Sequence, residues 1–217
     1  MKKATIVFTA LLALTSTAFA GGGEQQLLHL SGNAWEDGGF PPSNPGDGFS
    51  AVGILNAIEN PIVWDTANYS YTWYVRDLVA VGETVFGSTH IADYTGGLFT
   101  IYVDLLPSNH NYGINPPNAT APSTFSDGIS TYLDGFFTDF TVTFNDATAS
   151  GSFVGTLNFT GGDVFPLLDD PEGWTFGSNI ADVSPEGYDV ELNGDVFLTL
   201  TVSVEAESWG GIKQLYR

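Results

Sequence analysis

Apolar and polar residues alternate with a period of two through much of this sequence. Phe140, Val142 and Phe144 are separated from one another by single threonines. The same alternation recurs over 98–104, 152–159 and 195–204. Successive side chains of a β-strand point to opposite faces of the sheet, so this pattern predicts strands with one face on a core and one in water.

Weaker strand signals and turn dipeptides occupy most of the remaining chain. The weaker strands are predicted at 26–30, 50–58, 62–64, 70–81, 83–94, 129–137 and 188–192. Asn193-Gly194 is the pair that tight hairpin turns favour, because both of their central residues need positive φ. Further turns are predicted at Gly96-Gly97, Asp127-Gly128 and Gly161-Gly162. No long segment combines helical periodicity with caps at both ends.

These strands and turns predict an all-β fold. The best fit is a single domain over 21–217, an antiparallel β-sandwich or jelly roll, with a β-barrel as the alternative. Three stretches rich in Gly, Pro, Asn and Asp are expected to be long loops, at 31–48, 107–123 and 163–187. Long loops on a β scaffold often carry binding residues, although they are also common as plain solvent-facing insertions.

The N-terminal segment predicts export. Met1–Ala20 begins with two lysines, continues through an apolar run and closes on Ala18-Phe19-Ala20, which is the pattern of a secretory signal peptide. No later stretch reaches the length of apolar sequence that a transmembrane helix needs. We therefore expect the mature protein outside the cell or on its surface, with the periplasm as the alternative.

The net charge excludes several classes of partner. The sequence has 25 Asp and Glu against 5 Lys and Arg, a formal net charge of −20. Removal of the predicted signal peptide takes away two lysines and brings the charge to about −22. A surface this negative repels phosphate backbones and anionic lipids, so nucleic acid is excluded as a partner. The chain has no cysteine, which also excludes disulfides and thiol nucleophiles.

No catalytic constellation is recognisable in the sequence. His29, His90 and His110 lie in separate segments without the spacing of a zinc site, and no G-x-S-x-G motif is present. Paired carboxylates could hydrolyse glycosidic bonds, but 25 acids provide so many pairs that no single pair stands out. We expect a protein that is not an enzyme, with a secreted glycosidase left open.

Two kinds of binding residue are predicted in the loops. Trp35 and Trp174, in two of the predicted loops, are the candidates for platforms on which a sugar ring could stack, although a loop tryptophan is more often an anchor that packs its own loop. Calcium prefers clustered oxygen ligands from acidic loops. The candidate calcium ligands are Asp37, Asp47, Asp169, Asp170 and Glu172.

Three segments carry a resemblance to a known group of proteins. They are 94–104, 125–137 and 151–162, and their motifs are turn glycines flanked by aromatic residues. In that order they resemble the central part of exported β-proteins found among exosortase-sorted (PEP-CTERM) bacterial surface proteins. Such proteins end in a Pro-Glu-Pro motif, an apolar helix and a basic tail. This chain departs from that pattern, because it ends in Trp209–Arg217 without the motif.

Together these observations predict an exported, non-catalytic β protein with a structural or adhesive role at the cell surface or in the extracellular matrix. Its expected partner is a glycan or another surface protein. The alternative is a carbohydrate-binding module that uses the two loop tryptophans and calcium.

Overall fold

Eight antiparallel strands, joined in the order of the sequence, close into a barrel in the computed structural model of this chain. The structure describes residues 24–113 and 121–199. The strands are β1 (Glu24–Glu36), β2 (Gly48–Ile58), β3 (Tyr69–Phe86), β4 (Thr89–Leu105), β5 (Ser130–Asn145), β6 (Ser150–Gly161), β7 (Trp174–Ala181) and β8 (Val190–Thr199). Helical structure in these residues is limited to the single turn α1 (Ala121–Thr124) and a 3-10 turn (Phe165–Leu167). The predicted signal peptide and the segment Trp209–Arg217 lie outside the described residues.

The predicted all-β fold is confirmed, and its architecture is the barrel alternative. β8 pairs with β1 along most of its length, with Val190 opposite Ala34 and Leu192 opposite Gly32. This pairing closes the sheet, so the predicted sandwich of two separate sheets is wrong. Alternation of side chains determines which face of a strand is buried, but it is the same in a sandwich and in a barrel.

Aromatic side chains fill the interior of the barrel. Phe153 stacks on Phe140 and on Phe176, with ring centroids 5.1 and 4.9 Å apart. Phe176 also contacts Phe99 at 5.4 Å and Phe137 at 5.5 Å. Each of these rings is 3 % exposed or less. Alternation of large inward side chains therefore predicts the interior of β4, β5 and β6 correctly.

One wall of the barrel is shaped by Trp73, whose indole lies against two glycines. A Cβ atom on Gly32 or Gly53 would lie 2.6 or 2.4 Å from the indole ring. The same atom would also lie about 2 Å from a backbone oxygen of the neighbouring strand. Trp73 Nε1 donates to the carbonyl of Ile54 at 3.1 Å, so the buried indole is also satisfied.

The antiparallel order places the loops at two opposite ends of the barrel. The Phe40 end carries the connections 37–47, 87–88, 146–149 and 182–189. The Trp64 end carries 59–68, 162–173 and the described parts of the β4–β5 connection, 106–113 and 121–129. No helix in the described ranges is long and apolar enough to cross a membrane.

Two predicted loops are shorter than expected. β1 continues to Glu36, so the first loop is 37–47 and not 31–48. The predicted loop 163–187 contains all of β7, Trp174–Ala181. In both cases a composition rich in Gly, Pro, Asn and Asp predicts a loop, whereas strand pairing on both sides holds part of the segment in the barrel.

Two predicted turns lie inside strands. Asn193-Gly194 pairs with Ser178 and Asn179 in the middle of β8, where a Cβ on Gly194 would lie 2.2 Å from the Gly177 carbonyl oxygen. Gly96-Gly97 lies within β4 at a bend where both glycines have positive φ, opposite Asp77 at φ 62°. The glycines therefore permit close strand approach and bending in place of chain reversal. The predicted strand at 62–64 is wrong, because these residues lie in the irregular β2–β3 connection.

The contact of Trp73 with its two glycines gives a stability prediction. Gly53→Ala is expected to destabilise the fold by about 2 kcal/mol or more, because the added methyl overpacks against the indole and a backbone oxygen. The control is Gly177→Ala in β7, where the nearest atom to the added methyl is 3.7 Å away. Urea unfolding of both variants measures the difference, and equal stability would contradict the proposed close contact.

Candidate functional site

The two predicted tryptophan platforms are buried strand residues. Trp35 lies on β1, is 7 % exposed, and packs edge-on against Tyr188 with ring centroids 5.6 Å apart. Trp174 begins β7, is 2 % exposed, and donates from Nε1 to the carbonyl of Asp170 at 2.8 Å. The prediction that both rings are exposed in loops is therefore wrong, because strand pairing extends into both segments.

Trp35 is buried on the outside of the barrel. It belongs to a second apolar cluster with Val52, Phe125 and Tyr188. Phe125 follows α1, so the β4–β5 connection packs on the outer face of β1 and β2. Tyr188 Oη donates to the carbonyl of Tyr112 at 2.7 Å. This hydrogen bond links the β4–β5 connection to the β7–β8 connection.

The five predicted calcium ligands divide between the two ends of the barrel. Asp37 and Asp47 lie in the β1–β2 loop at the Phe40 end. Asp169, Asp170 and Glu172 lie in the β6–β7 loop at the Trp64 end. The two loops therefore do not converge on one site, because consecutive antiparallel strands bring them out on opposite sides.

Several of these acids serve the turns of their own loops. Asp47 Oδ2 accepts from the amide and the side chain of Asn44, both at 3.0 Å. Asp170 Oδ1 accepts from the amide of Glu172 at 3.2 Å. Within 24–113 and 121–199, no three His, Asp or Glu side chains are grouped so that they could hold a metal ion. Calcium binding stays a prediction from the sequence.

A buried carboxyl group lies at the Phe40 end. Glu36 is 4 % exposed, and its Oε2 accepts from Ser43 Oγ at 2.7 Å and from Tyr94 Oη at 2.8 Å. Its Oε1 has no hydrogen-bond partner within the described residues. Burial raises the pKa of Glu36 to about 7; the bonds from Ser43 and Tyr94 oppose this rise, and the charges of Asp47 and Asp189 add to it.

Asp189 holds the loop above Glu36 in place. Its Oδ2 accepts from the backbone amide of Glu36 at 2.7 Å. Burial raises the pKa of Asp189, while hydrogen bonds from the Glu36 and Phe40 amides lower it. Asp189 also lines a shallow cleft of about 280 Å³ with Asp146, Asp182 and Tyr188. Glu36 is not among the residues that line this cleft, so its titratable carboxyl is sealed beneath the loop.

The three histidines have structural partners. Both ring nitrogens of His90 meet carboxylates, Nδ1 with Glu83 at 2.5 Å and Nε2 with Asp146 at 2.9 Å. Burial alone would lower the pKa of His90, but its bonds with Asp146 and Glu83 raise it. His29 Nδ1 lies 2.6 Å from Asp195.

His110 is paired with a serine two residues away. Ser108 Oγ lies 2.6 Å from His110 Nδ1, and it also accepts from the His110 backbone amide at 3.3 Å. The His110 ring packs on Phe125 with centroids 5.5 Å apart. This geometry is a local serine turn.

The Trp64 end carries two clefts that share aromatic walls. The larger, of about 330 Å³, is lined by Trp64, Tyr69 and Tyr71 together with Asp163. The smaller, of about 220 Å³, is lined by the same three aromatic residues and by Ser70. Of the four tryptophans in the described residues, Trp64 is the one with a partly exposed ring. A partly exposed tryptophan is therefore present at Trp64, a residue for which the sequence predicts a strand.

Polar groups without partners lie at these clefts. The Ser70 hydroxyl oxygen is buried and makes no hydrogen bond within the described residues. Asp163 is exposed, and the described part of the structure contains no hydrogen bond or ion pair from its side chain. Trp64 could have been found from sequence by its position between Asn60-Pro61 and the polar segment 65–68, which is a turn environment and not a strand.

No protein-family model, curated protein or solved structure matches the chain, so the argument for a function rests on the geometry of its surface.

The buried carboxyl of Glu36 predicts a pH-dependent stability. Its pKa is 4.5 in an ordinary environment and about 7 in the fold. Between these values the folded state keeps a proton that the unfolded state has lost, so the free energy of unfolding falls as pH rises through this window. Glu36→Gln is expected to remove up to about 3 kcal/mol of this fall. Urea unfolding at pH 5 and pH 8 measures it.

The control for this experiment is Asp37→Asn, which removes one negative charge from the neighbouring exposed position. It should leave most of the fall in stability between the two pH values intact. If Glu36→Gln and wild type lose the same stability between pH 5 and pH 8, the buried carboxyl is not its source.

Proposed function

We propose that this chain is an exported, non-catalytic protein with an adhesive or structural role at the cell surface or in the extracellular matrix. The observation that carries the proposal is the aromatic filling of the barrel. Phe140, Phe153 and Phe176 stack across an interior that a carrier protein would need for its ligand. Contact with a partner then falls to the outer surface and the two ends.

The chemistry of the titratable groups supports a role without catalysis. Glu36 has a near-neutral pKa suited to a general acid, yet it is 4 % exposed and lies beneath its own loop. Both nitrogens of His90 are engaged by carboxylates, which leaves neither available to a substrate. The hydrogen bonds of Glu36 and His90 serve to stabilise the Phe40 end of the barrel.

The charge of the chain supports a role in an exterior environment. Arg76 is the single Lys or Arg in the described ranges, and it is occupied by Thr100, Asp77 and the ring of Tyr74. Most acids therefore have no cationic side chain to pair with and are hydrated. A hydrated acidic surface keeps a protein dispersed in salty surroundings and repels anionic partners.

Deletion of the gene in its source organism tests the proposal. We expect a several-fold loss of cell aggregation or of attachment to surfaces, restored by the full-length chain, and we expect the protein in the extracellular or surface fraction. A deletion strain with unchanged aggregation, attachment and envelope integrity would contradict the proposed role. Detection of the protein only in the cytoplasm would contradict it as well.

A further inference from the structure

We propose that the paired clefts at the Trp64 end bind a neutral glycan, with a pyranose ring packed against the partly exposed rings of Trp64 and Tyr69. This inference rests on the proposed adhesive function and names the ligand class of that surface. It moves the predicted sugar site from Trp35 and Trp174, whose rings are buried, to Trp64 and Tyr69, whose rings are partly exposed.

The aromatic residues supply the apolar contact that a sugar ring needs. One face of a pyranose presents mainly C–H groups, and these pack well on the flat face of an indole or phenol. Trp64 lies 6.0 Å from Tyr71, and Tyr71 lies 4.9 Å from Tyr132, measured between ring centroids. Trp64 is the partly exposed ring of the three, and the buried rings of Tyr71 and Tyr132, 5 and 4 % exposed, support it from inside the barrel.

The loop that carries Trp64 is held in position before any ligand arrives. Tyr132 Oη donates to the carbonyl of Val63 at 2.5 Å, and the amide of Asp65 donates to Tyr71 Oη at 3.0 Å. The Asp65 carboxylate in turn accepts from the Ala67 amide at 3.1 Å and from Asn68 Nδ2 at 2.7 Å. A platform fixed in this way does not have to be ordered when it binds.

The polar groups at the clefts match sugar hydroxyls. The Asp163 carboxylate lines the larger cleft and is free to accept hydrogen bonds, which carboxylates make strongly. Ser70 lines the smaller cleft, but its hydroxyl oxygen is buried, so Asp163 is the acceptor that a sugar can reach. An aromatic face beside a hydrogen-bond acceptor without a partner suits a polyhydroxylated ring, which has both C–H groups and hydroxyl donors.

The size and charge of the site narrow the ligand class. The clefts of about 330 and 220 Å³ lie just above and below the lower limit of about 300 Å³ for drug-sized ligands, so each fits a small unit such as one sugar ring. Asp65 and Asp163 both line the larger cleft, and Arg76 is committed to Thr100 and Asp77. A uronic-acid or sulfated sugar would place its anion beside these carboxylates with no Lys or Arg from 24–113 or 121–199 free to pair with it, so we infer a neutral glycan.

The test measures binding of the full mature chain to soluble neutral hexose oligosaccharides and to matched uronic-acid oligosaccharides, first on a glycan array and then by calorimetry with the best neutral ligand. We expect binding to neutral members only. Trp64→Ala should weaken it about tenfold or more, as the loss of a central aromatic contact does. Asp163→Ala should weaken it roughly tenfold through the lost charged hydrogen bond.

Asp163→Ala keeps the test decisive if Trp64→Ala fails to fold, because Asp163 is exposed and carries no described side-chain contact. The matched control is Asp169→Ala, an exposed acid of the same loop that lines neither cleft. It should bind like the wild type, with the same melting temperature. Equal binding by Asp163→Ala and Asp169→Ala would overturn the site, and a preference for uronic-acid oligosaccharides would overturn the neutral ligand.

The outcome separates this inference from the proposed function. If the deletion strain loses attachment while the purified protein binds no glycan on the array, the adhesive role stands and the glycan site falls. If neutral glycans bind through Trp64 and Asp163 while the deletion strain attaches normally, the site stands and the adhesive role falls.

Discussion

The packing of aromatic rings inside the barrel is the constraint on which the other features of this protein depend. Phe140, Phe153 and Phe176 stack in the middle of the barrel, and Trp73 lies against the wall formed by Gly32 and Gly53. The burial of these rings supplies the main favourable contribution to folding, since the chain has no disulfide and few possible ion pairs. It also occupies the interior and so leaves the ends and the outer face for contact with partners.

The two ends of the barrel differ in what they bury. At the Phe40 end, polar groups are taken into the fold: Glu36 lies under Ser43 and Tyr94, and Asp189 binds the loop amides. At the Trp64 end, aromatic groups are left partly open, and Ser70 and Asp163 lack partners within the described residues. The buried carboxyl groups of the Phe40 end thus have a structural role beside an acidic cleft, whereas the Trp64 end combines partly exposed aromatic rings with a carboxylate and has the chemistry of a binding surface.

Several residues that the sequence predicts in turns or loops lie in strands, and the physical reason is the same for each. Glycine, asparagine and serine are frequent in loops, but in a closed barrel they also occur where strands approach closely or bend. Gly194 permits contact with the Gly177 backbone, and Gly96 with Gly97 permits a bend in β4. The residues around Trp35 and Trp174 therefore predict loops, although both tryptophans lie in paired strands.

The sequence by itself determined the all-β class and the buried face of the strongest strands, because alternation with a period of two follows directly from the geometry of an extended chain. Phe99, Phe140 and Phe153 point into the core as their alternation predicts. Closure of the barrel depends on β8 meeting β1, about 160 residues apart, and no local pattern encodes that pairing. The tertiary structure also decided the candidate site: the antiparallel strand order separated the predicted acidic loops to opposite ends, and the curvature of the barrel brought Trp64, Tyr69 and Asp163 together at one of them.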